Sequence, residues 1–434
     1  MSLLLHLYRG FGWLARPGFG LYLRRRAARG KEDISRLQER YGQAGLPRPV
    51  GDVVWIHAAS IGEMNVALPL IDRIVAAGSQ VVLTTGTTTS AKLAESRLPA
   101  GAFHQFVPLD VGPWMRRFLH HWKPAVAILV ESEIWPVMID EAAGRNLPVV
   151  IVNGRMSEKS HRNWRRGGAS AHRLFSNVDL CLARSSPDAE RFLALGCPKV
   201  EAVGNLKLDG PSPAIDDAQL TALQKATEGR PVFLAASTHD GEERIIADVH
   251  RGLAPIIPSL LTIIAPRHPE RGEEIARQLG SEGHAICCRS QEDLPQQATD
   301  IYLADTIGEM GLFFRRADVT FIGKSLAGGG GQNPVEAAGL DCPILHGPMV
   351  ENFAEIFAGL DDADGAIRVA DGSDLAVRVK HLLENPQAAE AMAQRASAFV
   401  DSASGVLDRV WQHIVLLLPN GSAGKNNAEH EVER

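Results

Sequence analysis

The chain has 434 residues, 45% of them hydrophobic and 22% charged, with 41 Gly, 25 Pro and a formal net charge of −6. That length exceeds one ordinary core and sets two α/β halves as the expectation, while the composition excludes disorder over most of the chain. The negative balance offers no general attraction to phosphate backbones, and no basic-aromatic tract or zinc-finger spacing occurs, so nucleic acid is not expected as a partner.

The first segment, 1–30, is apolar from Leu3 to Leu23 but is interrupted by His6, Arg9 and Arg16 and followed by Arg24, Arg25 and Arg26. It is too broken to predict a membrane span, and no signal-peptide cleavage pattern precedes the arginines. Tyr8, Phe11, Trp13, Phe19 and Tyr22, interleaved with arginines, describe a helix lying in the interface of an anionic membrane. An amphipathic helix docked on the protein itself is the alternative. Six arginines within the first 29 residues favour membrane contact.

A charged helical stretch, Lys31 to Tyr41, leads to the apolar run VVWIHAA (53–59), which reads as a buried strand. Helical spacing follows from Glu63 to Ala77, then a second buried strand, QVVLTTG (80–86), making one βαβ unit with a parallel sheet. AVAILVES (125–132), PVVIVNG (148–154) and VDLCLARS (178–185) continue the pattern, so 31–210 reads as a Rossmann-like domain. After a Pro-containing link at 211–219 the pattern restarts with PVFLAAST (231–238), LLTIIAPR (260–267), AICCRS (285–290), DIYLAD (300–305) and DVTFIGK (318–324). The second Rossmann-like domain is set at 211–385, closing helices at 386–418, and a polar, disordered tail at 419–434. The fold expected is therefore α/β, two Rossmann-like domains facing a central cleft. Five cysteines without a C-x-x-C pair indicate neither a disulfide framework nor a zinc site, which suits a reducing cytoplasm.

Ligands in such domains sit beyond the carboxyl ends of the strands, which directs attention to the residues just after each one. Ser60-Ile61-Gly62-Glu63 follows the first strand; Glu63 is either a first-turn carboxylate meeting the helix dipole or a reactive group. Glu131 and Glu133, with Trp135, suit polar recognition or acid/base work, or a structural pairing with Arg155 or Arg162. Lys207 stands near the domain junction, where a cation meets a carboxylate or phosphate. In the second half Ser237, Thr238 and His239 follow one strand, and Arg267, between two prolines, suits bidentate phosphate binding beside His268. No His pair shows metal spacing with a third ligand nearby, so no metal is expected. Gly328 to Gly331, then Gln332-Asn333-Pro334-Val335-Glu336, make a loop whose amides approach a ligand before a helix begins at Pro334. The loop is neither G-x-G-x-x-G nor a P-loop, which weakens dehydrogenase and ATPase readings.

Taken in order, WIHAASIGE, ESEIWP, NGRMSEKS, GNLKLD, AASTHDGEE, APRHPER, DTIGEMG and GGGGQNPVEAAG closely resemble the bacterial 3-deoxy-D-manno-octulosonic acid (Kdo) transferases, from about Leu4 to about Leu417. The resemblance implies a GT-B glycosyltransferase that takes Kdo from CMP-Kdo, a substrate and not a cofactor, to the lipid A precursor at the cytoplasmic face of the inner membrane. It assigns Glu63 as general base. It also implies CMP contacts from Arg267, Asn333 and Glu336, a pocket lined by Thr306, Gly308, Glu309 and Met310, and donor contacts from Lys207, Ser237, Thr238 and His268. Ser60, Gly62, Glu131, Glu133 and Arg155 are expected to support the acceptor or the transition state. The chain departs from the family pattern at Gln332, usually His, at Val137, usually Asn, and in the glycine run 328–331. A sugar-nucleotide epimerase on the same fold and a non-catalytic nucleotide-sugar-binding protein are the rival readings.

Overall fold

The computed structural model describes residues 3–210 and 213–419. The chain divides into two compact units, Met1–Asp209 joined by Gly405–Arg434, and Gly210–Ser404.

The first unit contains β1 (Val53–His57), β2 (Gln80–Thr85), β3 (Ala102–Phe106), β4 (Val126–Val130), β5 (Val149–Gly154), β6 (Leu180–Ala183) and β7 (Val200–Ala202). They form a parallel sheet in the order β3-β2-β1-β4-β5-β6-β7. Every residue of β1 is buried because helices cover both faces: Val53 and Trp55 join one core cluster, Val54 and Ile56 the other. The second unit repeats the plan with β8 (Val232–Thr238), β9 (Leu261–Pro266), β10 (Ile286–Cys288), β11 (Ile301–Leu303), β12 (Val319–Ile322), β13 (Ile344–His346) and β14 (Ala366–Arg368). Their parallel order is β10-β11-β9-β8-β12-β13-β14. Both units are thus parallel-sheet α/β domains of the doubly wound kind.

Four strands, β3, β7, β13 and β14, escape the apolar-run reading. β3, β7 and β14 are edge strands with polar or partly exposed residues (AFHQF, VEA, AIR), and β13 is only three residues long. Edge strands meet a neighbour on one side alone and so carry a weaker apolar signal.

The amino-terminal segment forms two helices, Leu3–Leu14 and Arg16–Ala27, and the first is tied to its own unit. The Tyr8 hydroxyl donates to Asp110 at 3.2 Å, and the Arg9 guanidinium pairs with Asp140 and, at 2.6 Å, with Glu141. Arg26 pairs with Glu32 at 2.8 Å. Part of the arginine content read as membrane-directed is therefore spent on docking. Trp13, Leu14, Leu21 and Tyr22 nevertheless stay exposed. Among the described residues no helix is long and apolar enough to cross a membrane.

The stretch 31–41 is a 3-10 helix over Ile34–Tyr41. The linker stretch 211–219 already contains a helix start: Asp216 caps Asp217–Ala226, its carboxylate accepting from the amides of Ala218 and Gln219. The closing helices do not act as one block. Gly405, at φ 73°, separates Pro386–Ala403, which belongs to the second unit, from Val406–Ile414, which returns to the first. Val406, Val410 and Ile414 are fully buried against the first sheet, each worth about 1.5–3 kcal/mol. The tail expected to be disordered lies, from residue 420, outside the described residues.

Candidate active site

In the first sheet the strand order reverses between β1 and β4, the place where a doubly wound sheet opens a crevice. Glu63 follows β1 and Glu131 and Glu133 follow β4, so the topology gathers three carboxylates at this switch point. Ser60 caps the helix Ile61–Ala76, its hydroxyl accepting from the Glu63 amide at 3.3 Å. The Glu63 carboxylate turns back, accepting from the Ala59 amide at 2.6 Å and from the Ser60 hydroxyl at 3.2 Å. This is a capping-box relative, so the dipole reading of Glu63 is realised in the geometry. It does not exhaust the residue. Burial, then the charge of Glu133, push the Glu63 carboxyl up to about 7, against the opposing Ala59 hydrogen bond. A Cβ at Gly62 would meet only Ser60 Oγ at 3.8 Å, so internal packing does not require glycine there.

Glu133 and Glu131 have different surroundings. The Trp135 indole donates to Glu133 Oε2 at 2.6 Å, and Nε2 of the fully buried His57 lies 3.4 Å from the same oxygen, an ion-pair distance short of hydrogen-bond geometry. Nδ1 of His57 is engaged by the Thr84 carbonyl and hydroxyl at 3.1 and 3.0 Å. Burial raises Glu133, but His57 and the indole outweigh it and hold the carboxylate below its ordinary range. Glu131 has left-handed backbone, φ 59°, and pairs with Lys207 at 2.9 Å. Lys207, expected among the donor contacts, thus lies in the first unit beside a carboxylate. Arg155 is held by its backbone, its amide donating to the Glu131 carbonyl at 3.3 Å and its carbonyl accepting from the Ser132 hydroxyl at 2.8 Å. Neither Arg155 nor Arg162 is ion-paired to Glu131 or Glu133 among the described residues; Arg162 pairs with Glu158 instead. Val137, one of the departures, is buried at a helix start, where its amide donates to Asp110 at 3.0 Å.

The second sheet reverses order between β8 and β12, and the second group of predicted residues collects there. Ser237 is left-handed, φ 57°, at a register shift near the end of β8. Thr238 is buried and donates to Glu243 at 3.1 Å. Gln332 Nε2 lies 2.8 Å from His239 Nε2. Burial pushes His239 down to about 4, reinforced by the charges of Lys324, His268, Arg267 and Arg271. Four cationic or potentially cationic groups therefore surround one imidazole. Asn333 lies 3.4 Å from Glu336, whose carboxyl burial raises while Asn333 and the nearby Arg267 lower it. Gly328 to Gly331 all have positive φ, and a Cβ on Gly330 would stand 2.5 Å from Asn352 Nδ2, so this loop needs glycine. The helix beyond it, Val335–Ala338, is short. After β11, Thr306 donates to Glu309, which pairs with Arg289 at 2.6 Å and is held below its ordinary range by it; Gly308 is left-handed, φ 90°, and Met310 begins a helix.

Sequence reasoning missed three contributors. His57 stood inside a quoted motif but read only as strand. Glu242 is fully buried and accepts from the amides of His239, Lys324, Ser325 and Leu326 at 2.6–3.0 Å, fastening the loop after β12 to the loop after β8. Lys324, left-handed at φ 59°, supplies a cation that the pattern gave no reason to select. Spacing also hid a three-donor cluster, His250, His284 and Asp300, with ligand atoms within 4.8 Å of one another. There Arg251 Nη2 lies 3.0 Å from His284 Nε2, which places a cation where an ion would bind.

The family model for 3-deoxy-D-manno-octulosonic-acid transferase (kdotransferase) matches residues 35–210. The 3-deoxy-D-manno-octulosonic acid transferase of Rickettsia bellii is 32% identical over 420 residues, 96% of this chain and 100% of the relative. The chain belongs to the Kdo transferase family. The transferase of Haemophilus influenzae is similarly 33% identical over 387 residues, 86% of this chain and 90% of that one. The UDP-GlcNAc 2-epimerase of Neisseria meningitidis, bound to UDP-GlcNAc, covers 84% of this chain and 100% of its own with a TM-score of 0.56. At 13% identity that likeness shows the GT-B-like fold alone. Full-length sequence similarity thus makes this member of the Kdo transferases a glycosyltransferase and removes the epimerase and non-catalytic readings.

Proposed function

We propose that this Kdo transferase moves Kdo from CMP-Kdo to a hydroxyl of the lipid A precursor in lipopolysaccharide biosynthesis, with Glu63 as general base. The observation that carries the reading is a half-buried carboxylate at a switch point, its pKa about 7 and a second carboxylate beside it. Such a group is substantially ionised near neutrality yet basic enough to accept a proton. The acceptor oxygen forms its bond to the anomeric carbon, its proton passes to Glu63, and the bond to the CMP oxygen breaks with the electron pair leaving on CMP. One displacement inverts the anomeric centre.

The second unit would hold the donor. Arg267, His268 and Lys324 match the negative charge of CMP-Kdo, with Ser237, Thr238, Asn333, Glu336 and the loop Thr306 to Met310 around them. Lys207 would meet the donor only by exchanging its Glu131 partner; in place it pairs with Glu131 near the base. This cationic set leads us to propose transfer without a metal: EDTA should leave the rate unchanged, and a loss restored by a divalent ion would overturn that part.

Replacing Glu63 by Ala and measuring CMP release with lipid acceptor present tests the base. A fall in kcat of about 10²–10⁴-fold is expected. Retained turnover would remove Glu63 from the mechanism, and CMP release without acceptor would mark a hydrolase.

We also propose that residues 1–30 lie on the cytoplasmic face of the inner membrane. Exposed Trp13, Leu14, Leu21 and Tyr22 beside exposed Arg24, Arg25 and Arg29 support it.

A further inference from the structure

At the amino-terminal ends of the second unit's strands, side chains from three separate elements converge. His250 stands on the helix Glu242–Leu253, His284 between the helix Gly272–Ser281 and β10, and Asp300 directly before β11. One ligand atom from each lies within 4.8 Å of the other two. A four-coordinate zinc ion, about 2.0–2.2 Å from its nitrogen and oxygen ligands, spaces them about 3.3–3.5 Å apart. His250 Nε2 and Asp300 Oδ1 are 3.8 Å apart, too far for a hydrogen bond and close to that spacing. The two imidazoles meet edge to face, with 5.8 Å between ring centroids. His250 is buried while the Asp300 side chain is 42% exposed, which leaves an ion a way in.

Two of the three groups hold their second polar atom outside the cluster. His250 Nδ1 lies 2.9 Å from the Thr262 hydroxyl, and Asp300 Oδ2 accepts from the Ala285 amide at 2.9 Å. Tying down the far atom in this way is how proteins aim an imidazole or a carboxylate at an ion. The third group is informative through its neighbour. Arg251 Nη2 lies 3.0 Å from His284 Nε2, and a guanidinium only donates, so that nitrogen presents its lone pair. Arg251 is half-exposed and also pairs with Asp248 and, at 3.7 Å, with Glu282, so it can withdraw onto carboxylates and keep a partner. Arg230, the other cation near His250, is turned away, its guanidinium donating to the carbonyls of Ser259, Leu260, Gln296 and Thr299. The cluster stands apart from the cationic group at the second switch point. Thr262 is the second residue of β9 and Arg267 follows its last, about 16 Å further along at about 3.3 Å per residue.

We propose that His250, His284 and Asp300 form a binding site for a divalent ion of the zinc type, with water as the fourth ligand and Arg251 as the resident cation that the ion displaces. Bound there, the ion cross-links one helix to the lead-ins of two strands and stabilises the second unit, apart from the transfer step. The test uses the full chain, treated with EDTA and desalted, and titrates zinc chloride by calorimetry. Magnesium serves as the control, because it prefers oxygen ligands. Asp300→Asn, which keeps an acceptor for the Ala285 amide, and His284→Ala should each weaken zinc binding about tenfold or more. Arg251→Ala should act in the opposite direction and tighten it, since the competing cation is gone. Zinc at about a hundredfold its Kd should raise the Tm of the parent chain by about 5 °C and leave the Asp300→Asn variant nearly unmoved. Circular dichroism checks the fold of each variant. Zinc affinity unchanged in both Asp300→Asn and His284→Ala would put the ion elsewhere on the chain and overturn the proposal. Absence of zinc binding, or equal binding of magnesium, would overturn it too. Weaker binding in Arg251→Ala would make the guanidinium a support of the cluster and not its competitor, which would overturn the exchange.

Discussion

The two switch points share one topology and carry opposite charge. Beyond β1 and β4 stand Glu63, Glu131 and Glu133, and the nearby cation Lys207 is committed to Glu131. Beyond β8, β9 and β12 stand His239, Arg267, His268 and Lys324, while of the acids there Glu242 is consumed by backbone amides and Glu243 by Thr238 and Arg271, leaving Glu336 beside Asn333. Under the proposed mechanism the same sheet order would serve two tasks, keeping a proton acceptor basic in one unit and holding an anion in the other. The strand ends carry that difference, since doubly wound sheets of this kind supply only the position.

The Glu63 replacement described above would break the comparison most severely. Next in size, Arg267→Ala should remove charge-assisted contacts worth about 1.5–3 kcal/mol, a fall in kcat/KM of about 10- to 100-fold. The loss should appear in CMP affinity, read by calorimetry. Unchanged affinity would mean that the cationic cluster is not the donor site.

A smaller effect should separate Glu133 from Glu131. As the proposed base Glu63 must be ionised to act, so activity should fall as pH drops through its pKa of about 7. Glu133→Gln keeps a partner for the Trp135 indole and removes the charge that helps to raise Glu63, so the acid limb of the kcat/KM profile should move to lower pH. An unmoved limb would assign the elevation to burial alone.

The smallest expected effect is on stability. A carboxyl whose folded pKa stands above its unfolded value binds its proton more tightly in the fold, so ionisation opposes folding as pH rises from about 4.5 through 7. Glu63→Gln should therefore raise Tm at pH 8, by about 2–4 °C for each kcal/mol recovered, with the gain disappearing near pH 4. Equal gains at both pH values would show that hydrogen bonding at the helix start, and not charge, sets the difference.

Much of the molecule was legible in the residues. Buried central strands such as VVWIH and VFLAAST announce themselves because both faces are covered, and the resemblance to Kdo transferases rests on segments that follow those strands. Edge strands AFHQF and AIR were not legible, since a strand paired on one side needs no continuous apolar run. Glu131 and Ser237 could be picked by position, but their left-handed backbone, φ 59° and 57°, could not.

The sequence alone determined two parallel α/β halves and the family, and through the family resemblance it nominated Glu63 for the proposed base, because apolar periodicity and ordered motifs are local properties of the chain. Only the tertiary structure decided the partners: His57 against Glu133, Lys207 against Glu131, Glu242 fastening two loops, and Val406–Ile414 returning to the first unit. Each is a contact between residues distant in the chain. Burial and charge at that range depend on which strands become neighbours, and that is settled only when the sheets assemble.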